Sequence, residues 1–412
     1  MRPGRAIIKS ARFSNRRRSM IDPAALDWPR VHREATVCDL HIHPSMKQQL
    51  FSRKLGVRYF AARTINILGV QSSFPRMKTG GYDVFLSVLH VPEKGLLADF
   101  PVINLFRILR PDLWRKLFSA PPFPATIRIL EDMEAEVARS PLVQPAHSVA
   151  ELDAILAQPE ASRPIAAIHA VEGAHSLGDE DADAEDVLRN LEELYRRGVA
   201  YLTLAHFYPN GVVHPCYPFP EGMVKLAKDP DLWRDLTQGL TPLGVRVVQR
   251  MIELGMLIDL SHCTPTARRQ IYALCDASGR RVPLTATHVG AYEINPSPYN
   301  LADWEVKRIA RDGGVVGVIF MPYWLMPKES HMGLNFISRT IEHFVNVAGE
   351  DAVGIGTDFD GFATPPEDLY NTEQMPRLTE RLLVDGHSEA RIKKLLGGNA
   401  LRVLREGWGK KN

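Results

Sequence analysis

Eight short apolar runs recur along the chain, most of them separated by helical stretches, and this recurrence constrains the fold more than any other feature. They fall at residues 37–43, 84–91, 164–173, 199–206, 256–262, 282–288, 315–320 and 353–358. The run at 164–173 is almost continuously apolar, which indicates a strand buried on both faces, as in a parallel sheet. The first run, Val37-Cys-Asp-Leu-His-Ile-His43, alternates as a strand does. It ends with two histidines one residue apart, whose imidazoles therefore emerge on the same side.

The intervening segments carry helix signals. A helix over 185–197 is closed by Gly198, where a left-handed cap is wanted. Thr241-Pro242 opens a helix that Gly255 closes, with threonine as N-cap and proline at the first helical position. Thr264-Pro265 opens another, Asn300 begins one that Gly313-Gly314 ends, and a last amphipathic helix starts at about residue 388. Eight strands joined by right-handed helical crossovers close into an α/β fold of the (β/α)8 TIM barrel type with long βα-loop insertions. An open doubly wound sheet is the alternative. It is disfavoured because no glycine-rich phosphate loop follows the first strand.

In such a barrel the chemistry sits at the C-terminal ends of the strands. Six of the eight strands end in residues suited to metal ligation or proton transfer: His41 and His43, Glu172, His206, His262, His288 and Asp358. Four imidazoles and a carboxylate exceed what one catalytic zinc needs, since such a site uses three protein ligands and an open position. Two divalent ions, Zn2+ by preference, about 3.5 to 4 Å apart, would share Glu172 and a bridging hydroxide. Asp358 then stands as the proton carrier between attacking water and leaving group.

Residues 1–20 read as a basic, disordered arm, with a transit peptide or electrostatic tether as other readings. Residues 21–412 read as one barrel domain, with an apolar and basic insertion at about 92–124. That insertion suits a lid or packing helix over the barrel mouth, a dimer contact, or a membrane-surface helix. The net charge is +2, but the first twenty residues hold seven Lys or Arg and no acid. The remainder is therefore net negative, which argues against nucleic acid as a partner. No run of about 18 apolar residues, secretory signal or lipid-anchor tail is present, so a soluble, cytoplasmic protein is expected. The spacing of Cys38, Cys216, Cys263 and Cys275 suits a reducing compartment.

Several stretches, in this order, carry a family resemblance: Asp39-Leu-His-Ile-His43, Val171-Glu-Gly-Ala-His-Ser-Leu177, Tyr201-Leu-Thr-Leu-Ala-His206, Leu240-Thr-Pro-Leu-Gly244, Leu257-Ile-Asp-Leu-Ser-His262, Thr287-His-Val-Gly-Ala-Tyr292 and Gly354-Ile-Gly-Thr-Asp-Phe-Asp-Gly361. Over about residues 36–406 the chain resembles the membrane (renal-type) dipeptidase family of the amidohydrolase superfamily. The resemblance implies a binuclear zinc barrel that hydrolyses dipeptides, commonly as a homodimer. It implies that Glu172 bridges the metals, that His262 and His288 bind one zinc and that His41 binds the other. His206 matches the histidine that contacts substrate and steadies the oxyanion, and Asp358 the acid-base aspartate. Asp360 is expected to be structural.

Two positions depart from the family pattern. Its first motif is usually His-x-Asp, whereas residue 43 is histidine, which can still ligate but removes a negative charge. The family's arginine for the dipeptide carboxylate should fall near Tyr299, and tyrosine cannot make the charge-assisted bidentate pair. Tyr299 is therefore the expected substrate-binding position, with Arg53, Arg58, Arg63 or Arg76 as possible replacements for the lost charge. The expected activity is hydrolysis of the amide bond of a dipeptide or related small amide. An amidohydrolase for a non-peptide amide, ester or lactone is the alternative, and a catalytically inactive metal-binding barrel the alternative of another class.

Overall fold

The computed structural model describes residues 26–60, 69–99, 105–216, 235–326 and 333–409. Among them nine parallel strands form one sheet: β1 (Val37–Ile42), β2 (Tyr82–Leu89), β3 (Val143–Pro145), β4 (Ile165–Glu172), β5 (Tyr201–Thr203), β6 (Leu257–Asp259), β7 (Thr285–Val289), β8 (Val315–Val318) and β9 (Val353–Ile355). Their order is β2-β1-β9-β8-β7-β6-β5-β4-β3, and a further pairing of β2 with β4 closes eight of them into a barrel. That closure is continuous from Val84 opposite Ala166 to Leu89 opposite Val171. The chain is thus a (β/α)8 barrel, as the recurrence of apolar runs predicts.

The ninth strand is the addition. β3 pairs with the first residues of β4, Val143 with Ile165 through Pro145 with Ala167, whereas β5 pairs with the last two, Val171 and Glu172. A three-residue strand ending in proline can extend the sheet there because the same edge of β4 is taken up by β5 only further along.

The helix ends form where the sequence signals them, except that the helix expected from Asn300 starts at Asp303. Thr241 and Thr264 cap the helices Pro242–Leu254 and Pro265–Ala277, each accepting a backbone N–H three residues on at 3.0 Å. Gly198 and Gly255 adopt the left-handed conformation, with φ of 81° and 71°. The last helical stretch is broken by a wide turn at 394–398 before the helix Asn399–Gly407. That final helix closes the N-terminal end of the barrel. Arg402 donates to the carbonyls of Gly313, Gly314 and Asp351, and Leu401, Val403, Leu404 and Trp408 join an apolar cluster with Leu40, Leu86 and Ile168. The opposite, C-terminal end is left for the site.

Between β1 and β2 lie the helices Pro44–Phe51 and Phe74–Thr79. Within the insertion at 92–124 lies the helix Pro111–Phe118, and Leu105, Ile108 and Leu109 are exposed. Residues 1–25, the apolar stretch at 100–104 and Arg63 lie outside the described residues. Among the described residues, no helix is long and apolar enough to cross a membrane.

Candidate metal centre and active site

The strand ends bring the predicted ligands together. Glu172 is the last residue of β4, His41 lies in β1 with His43 just beyond it, and His288 lies in β7. His206, His262 and Asp358 each stand three residues past the end of their strand. At 262 and 358 the backbone turns through φ of 64° and 57°, left-handed values that aim the side chains back over the barrel mouth. Gly361 completes that turn. A Cβ there would lie 2.0 Å from Asp358 Oδ1 and 2.7 Å from the His43 ring, so only glycine fits.

Glu172 is the centre of the arrangement. Its Oε1 lies 3.3 Å from His41 Nε2, 3.3 Å from His262 Nε2 and 3.5 Å from His288 Nε2. Its Oε2 lies 3.4 Å from His43 Nε2 and 3.6 Å from His206 Nε2. The ring nitrogens themselves are close, at 3.0 Å between His41 and His43 and 2.9 Å between His262 and His288. Asp358 Oδ1 is 3.3 Å from His43 Nε2. Two triads, His41, His43 and Asp358, and Glu172, His206 and His262, have ligand atoms close enough to share an ion.

The hydrogen-bond network fixes the orientation of two of these rings. Tyr201 gives its proton to the Leu40 carbonyl, and Thr287 gives its own to Asp259 Oδ2. Both hydroxyl oxygens can then only accept from His41 Nδ1, at 2.9 and 3.1 Å, and Thr287 likewise accepts from His288 Nδ1 at 2.9 Å. Nδ1 therefore carries the proton in His41 and His288, and their Nε2 lone pairs face the Glu172 carboxylate. Lone pairs aimed at a carboxylate oxygen need a cation between them, so the donor set fits divalent metal.

The electrostatics agree. Burial would raise the Glu172 carboxyl, but the imidazoles of His206 and His41 outweigh it and hold the group well below the usual range. Burial would lower His41, yet the Glu172 charge and hydrogen bond raise it. Burial, with His41 and His262 adding to it, pushes His288 well down. Behind the candidate ligands, Asp39 is fully buried and pushed up to about 6 by burial, against hydrogen bonds from Thr357 and His41 that favour its charge.

The remaining predicted residues fall as follows. Asp360 accepts the backbone N–H groups of Gln71 and Ser72 and ties the loop after β9 to residues 71–72. Tyr299 is buried; its hydroxyl donates to the His288 carbonyl at 2.7 Å, and its ring stacks on Trp324 at 4.0 Å and meets His262 edge-on at 5.0 Å. The phenol is thus committed to the strand end that carries His288. Arg58 and Arg76 both pair with Glu373, and Arg53 lies over the Tyr59 ring.

Two residues at the mouth escaped the sequence reading. His90 follows β2 directly, packs on His206 with ring centres 4.3 Å apart and places Nδ1 3.3 Å from the Glu172 carbonyl. Glu93, three residues on, receives His206 Nδ1 at 2.8 Å. The strand-end rule applied to the second strand would have found His90; Glu93 lies beyond the strand, where no such rule reaches.

The family model described as membrane dipeptidase (peptidase family M19) matches residues 27–409. An uncharacterized protein in the pqqA 5' region of Klebsiella pneumoniae is 37% identical over 177 residues, covering 42% of this chain and 63% of that protein. Dipeptidase tcpJ of Claviceps purpurea is 30% identical over 244 residues, covering 58% of this chain and 51% of that one. The matches thus span less than two thirds of either curated relative. Among solved structures, a metallo peptidase from Rhodobacter sphaeroides liganded with a phosphinate mimic of the dipeptide L-Ala-D-Ala superposes with a TM-score of 0.70 at 23% identity. The match covers 91% of this chain and 99% of that one, a likeness of fold.

Proposed function

The chain belongs to the membrane dipeptidase family, and from that premise we propose that it is a binuclear metal-dependent hydrolase cleaving a dipeptide or a closely related small amide. The observation that carries this reading is the convergence of four histidine Nε2 atoms on the two oxygens of Glu172. In this reading His41, His43 and Glu172 hold one ion, Glu172, His262 and His288 the other, and both are zinc. When bound, the ions polarise the scissile carbonyl and lower the pKa of water towards about 7.

The side chains do the rest. Asp358 is the most exposed carboxylate of the centre, at 15%, against 3% for Glu172. It can therefore receive a proton from the attacking water and deliver it to the departing amine. His206, with Nε2 3.6 Å from Glu172, supplies the group that steadies the oxyanion. Tyr299 supports His288 and His262 from behind. The four buried cysteines, none in a disulfide, support a reducing, cytoplasmic setting. The family match over 27–409 supports 21–412 as a single domain, and a homodimer completes the reading.

Zinc-loaded protein is expected to hold two ions per chain and to turn over a panel of dipeptides that includes L-Ala-D-Ala. Asp358→Asn should lower kcat by about 10²- to 10⁴-fold. No dipeptide turnover at full loading, or turnover confined to lactones and acyl amides in the same panel, overturns the proposal.

A further inference from the structure

Glu93 lies in the loop after β2, 113 positions from His206, yet its carboxylate gathers three consecutive residues of the loop after β5. Oε2 accepts from His206 Nδ1 at 2.8 Å, and Oε1 accepts the backbone N–H groups of Phe207 and Tyr208, each at 2.9 Å. The group is buried, at 4% exposure. Burial alone would raise it, but the imidazoles of His206 and His175 and the hydrogen bond from His206 outweigh that and hold it at about 2. A carboxylate can only accept, so the bond to His206 puts the proton on Nδ1 and leaves Nε2 as the atom turned towards Glu172. The ring is clamped as well as hydrogen-bonded, with Phe207 stacked on it at 3.7 Å and His90 at 4.3 Å.

We infer that Glu93 is a positioning residue of the centre: it fixes the ring orientation of His206 and keeps a proton on Nδ1, so that Nε2 is the atom presented to the reacting atoms and a second proton taken up there makes the ring the donor that steadies the oxyanion. Ligand atoms of His90, Glu93 and His206 are near enough to one another to hold an ion of their own. The positioning role accounts better for the contacts, because both lone pairs of Oε1 are taken by backbone N–H groups and Oε2 by His206. The kinetic consequence rests on the hydrolase reading above; the tautomer does not.

The test uses the zinc-loaded protein with 15N-labelled histidine, comparing wild type with Glu93→Gln and Glu93→Asp. In Glu93→Gln the amide oxygen must stay on the two backbone N–H groups, so its NH2 faces His206. The imidazole should then invert to the Nε2–H tautomer, visible as an exchange of its two 15N resonances. Metal content should remain at the wild-type value, and kcat for a dipeptide should fall about 10- to 100-fold with KM unchanged. Glu93→Asp keeps the charge on a shorter arm; it should keep the Nδ1–H tautomer while kcat falls, and carries the test alone if Glu93→Gln does not fold. An unchanged His206 tautomer in Glu93→Gln, or an inverted one in Glu93→Asp, overturns the inference. Loss of a bound metal equivalent in either variant does so too, since Glu93 would then be a ligand. The NMR readout needs no substrate, so a protein inactive on every dipeptide still decides the tautomer question separately.

Discussion

One hydroxyl shows how finely the centre is set at the scale of single residues. Thr287 sits between His41 and His288 and, by giving its proton to Asp259, makes both rings turn Nε2 towards Glu172. Tyr299 acts at the same scale on the carbonyl of His288. Tyr299→Phe should leave the stack on Trp324 intact and remove only that bond, lowering stability by about 1 kcal/mol in urea unfolding. KM for dipeptides should not change; a several-fold rise in KM would instead place the hydroxyl against substrate. The candidate ligand histidines and Glu172 could be picked out in the sequence because they end apolar runs. The partners that orient them were not, since Thr287, Tyr201 and Glu93 are ordinary polar residues whose meaning depends on which atom faces which.

Between residues and the whole lie the elements that hold the loops. Arg268, on the helix Pro265–Ala277, pairs both ways with Glu305 on the helix Asp303–Arg311, at 2.7 and 3.1 Å, with both side chains buried. The same guanidinium donates to the carbonyls of Cys263 and Pro298 and so ties the turn after His262 to the loop that carries Tyr299. Arg268→Met leaves Glu305 buried without its cation, and a loss of about 3 to 5 kcal/mol in chemical unfolding is expected.

His32 makes a comparable join, linking the helix Trp28–Glu34 to the Gly80 carbonyl and to Thr379 on the helix Pro376–Val384. Burial lowers it below its ordinary value of about 6.5, against a hydrogen bond to Gly80 that raises it. As pH falls through that value the unfolded chain takes up this proton and the folded chain does not, so the contribution to stability is lost towards acid. The pH dependence of unfolding below about 6.5 should therefore be shallower in His32→Gln than in wild type, by up to ~1.4 kcal/mol per pH unit. Equal slopes would show that the ring is not buried neutral. Helix starts were readable from Thr-Pro pairs and ends from glycine, while β3 was not: three residues ending in proline carry no periodicity.

At the scale of the molecule, one end of the barrel is closed by the C-terminal helix and the other is given to polar chemistry. The architecture was legible because eight apolar runs, most of them separated by helical stretches, admit few topologies. The closing role of the helix Asn399–Gly407 was not, because its apolar stripe reads the same whether it flanks a sheet or caps it. If the centre binds metal only in the folded state, removal of metal should lower the unfolding midpoint and make it depend on added zinc. Each site should contribute about 2.7 kcal/mol at a hundredfold excess over its Kd. A midpoint indifferent to chelator would mean that the histidines hold no ion.

Among the described residues, four of the five non-glycine residues with left-handed backbone, His262, Asp358, Asp360 and Phe362, stand in the loops after β6 and β9. Each such residue costs on the order of 1 kcal/mol relative to glycine, so the mouth is built at a local cost in stability. A descendant released from catalysis would gain stability by replacing these residues first. Decay of the function would therefore begin at 262 and 358 and leave an intact, more robust barrel behind, with the apolar runs still readable and the chemistry gone.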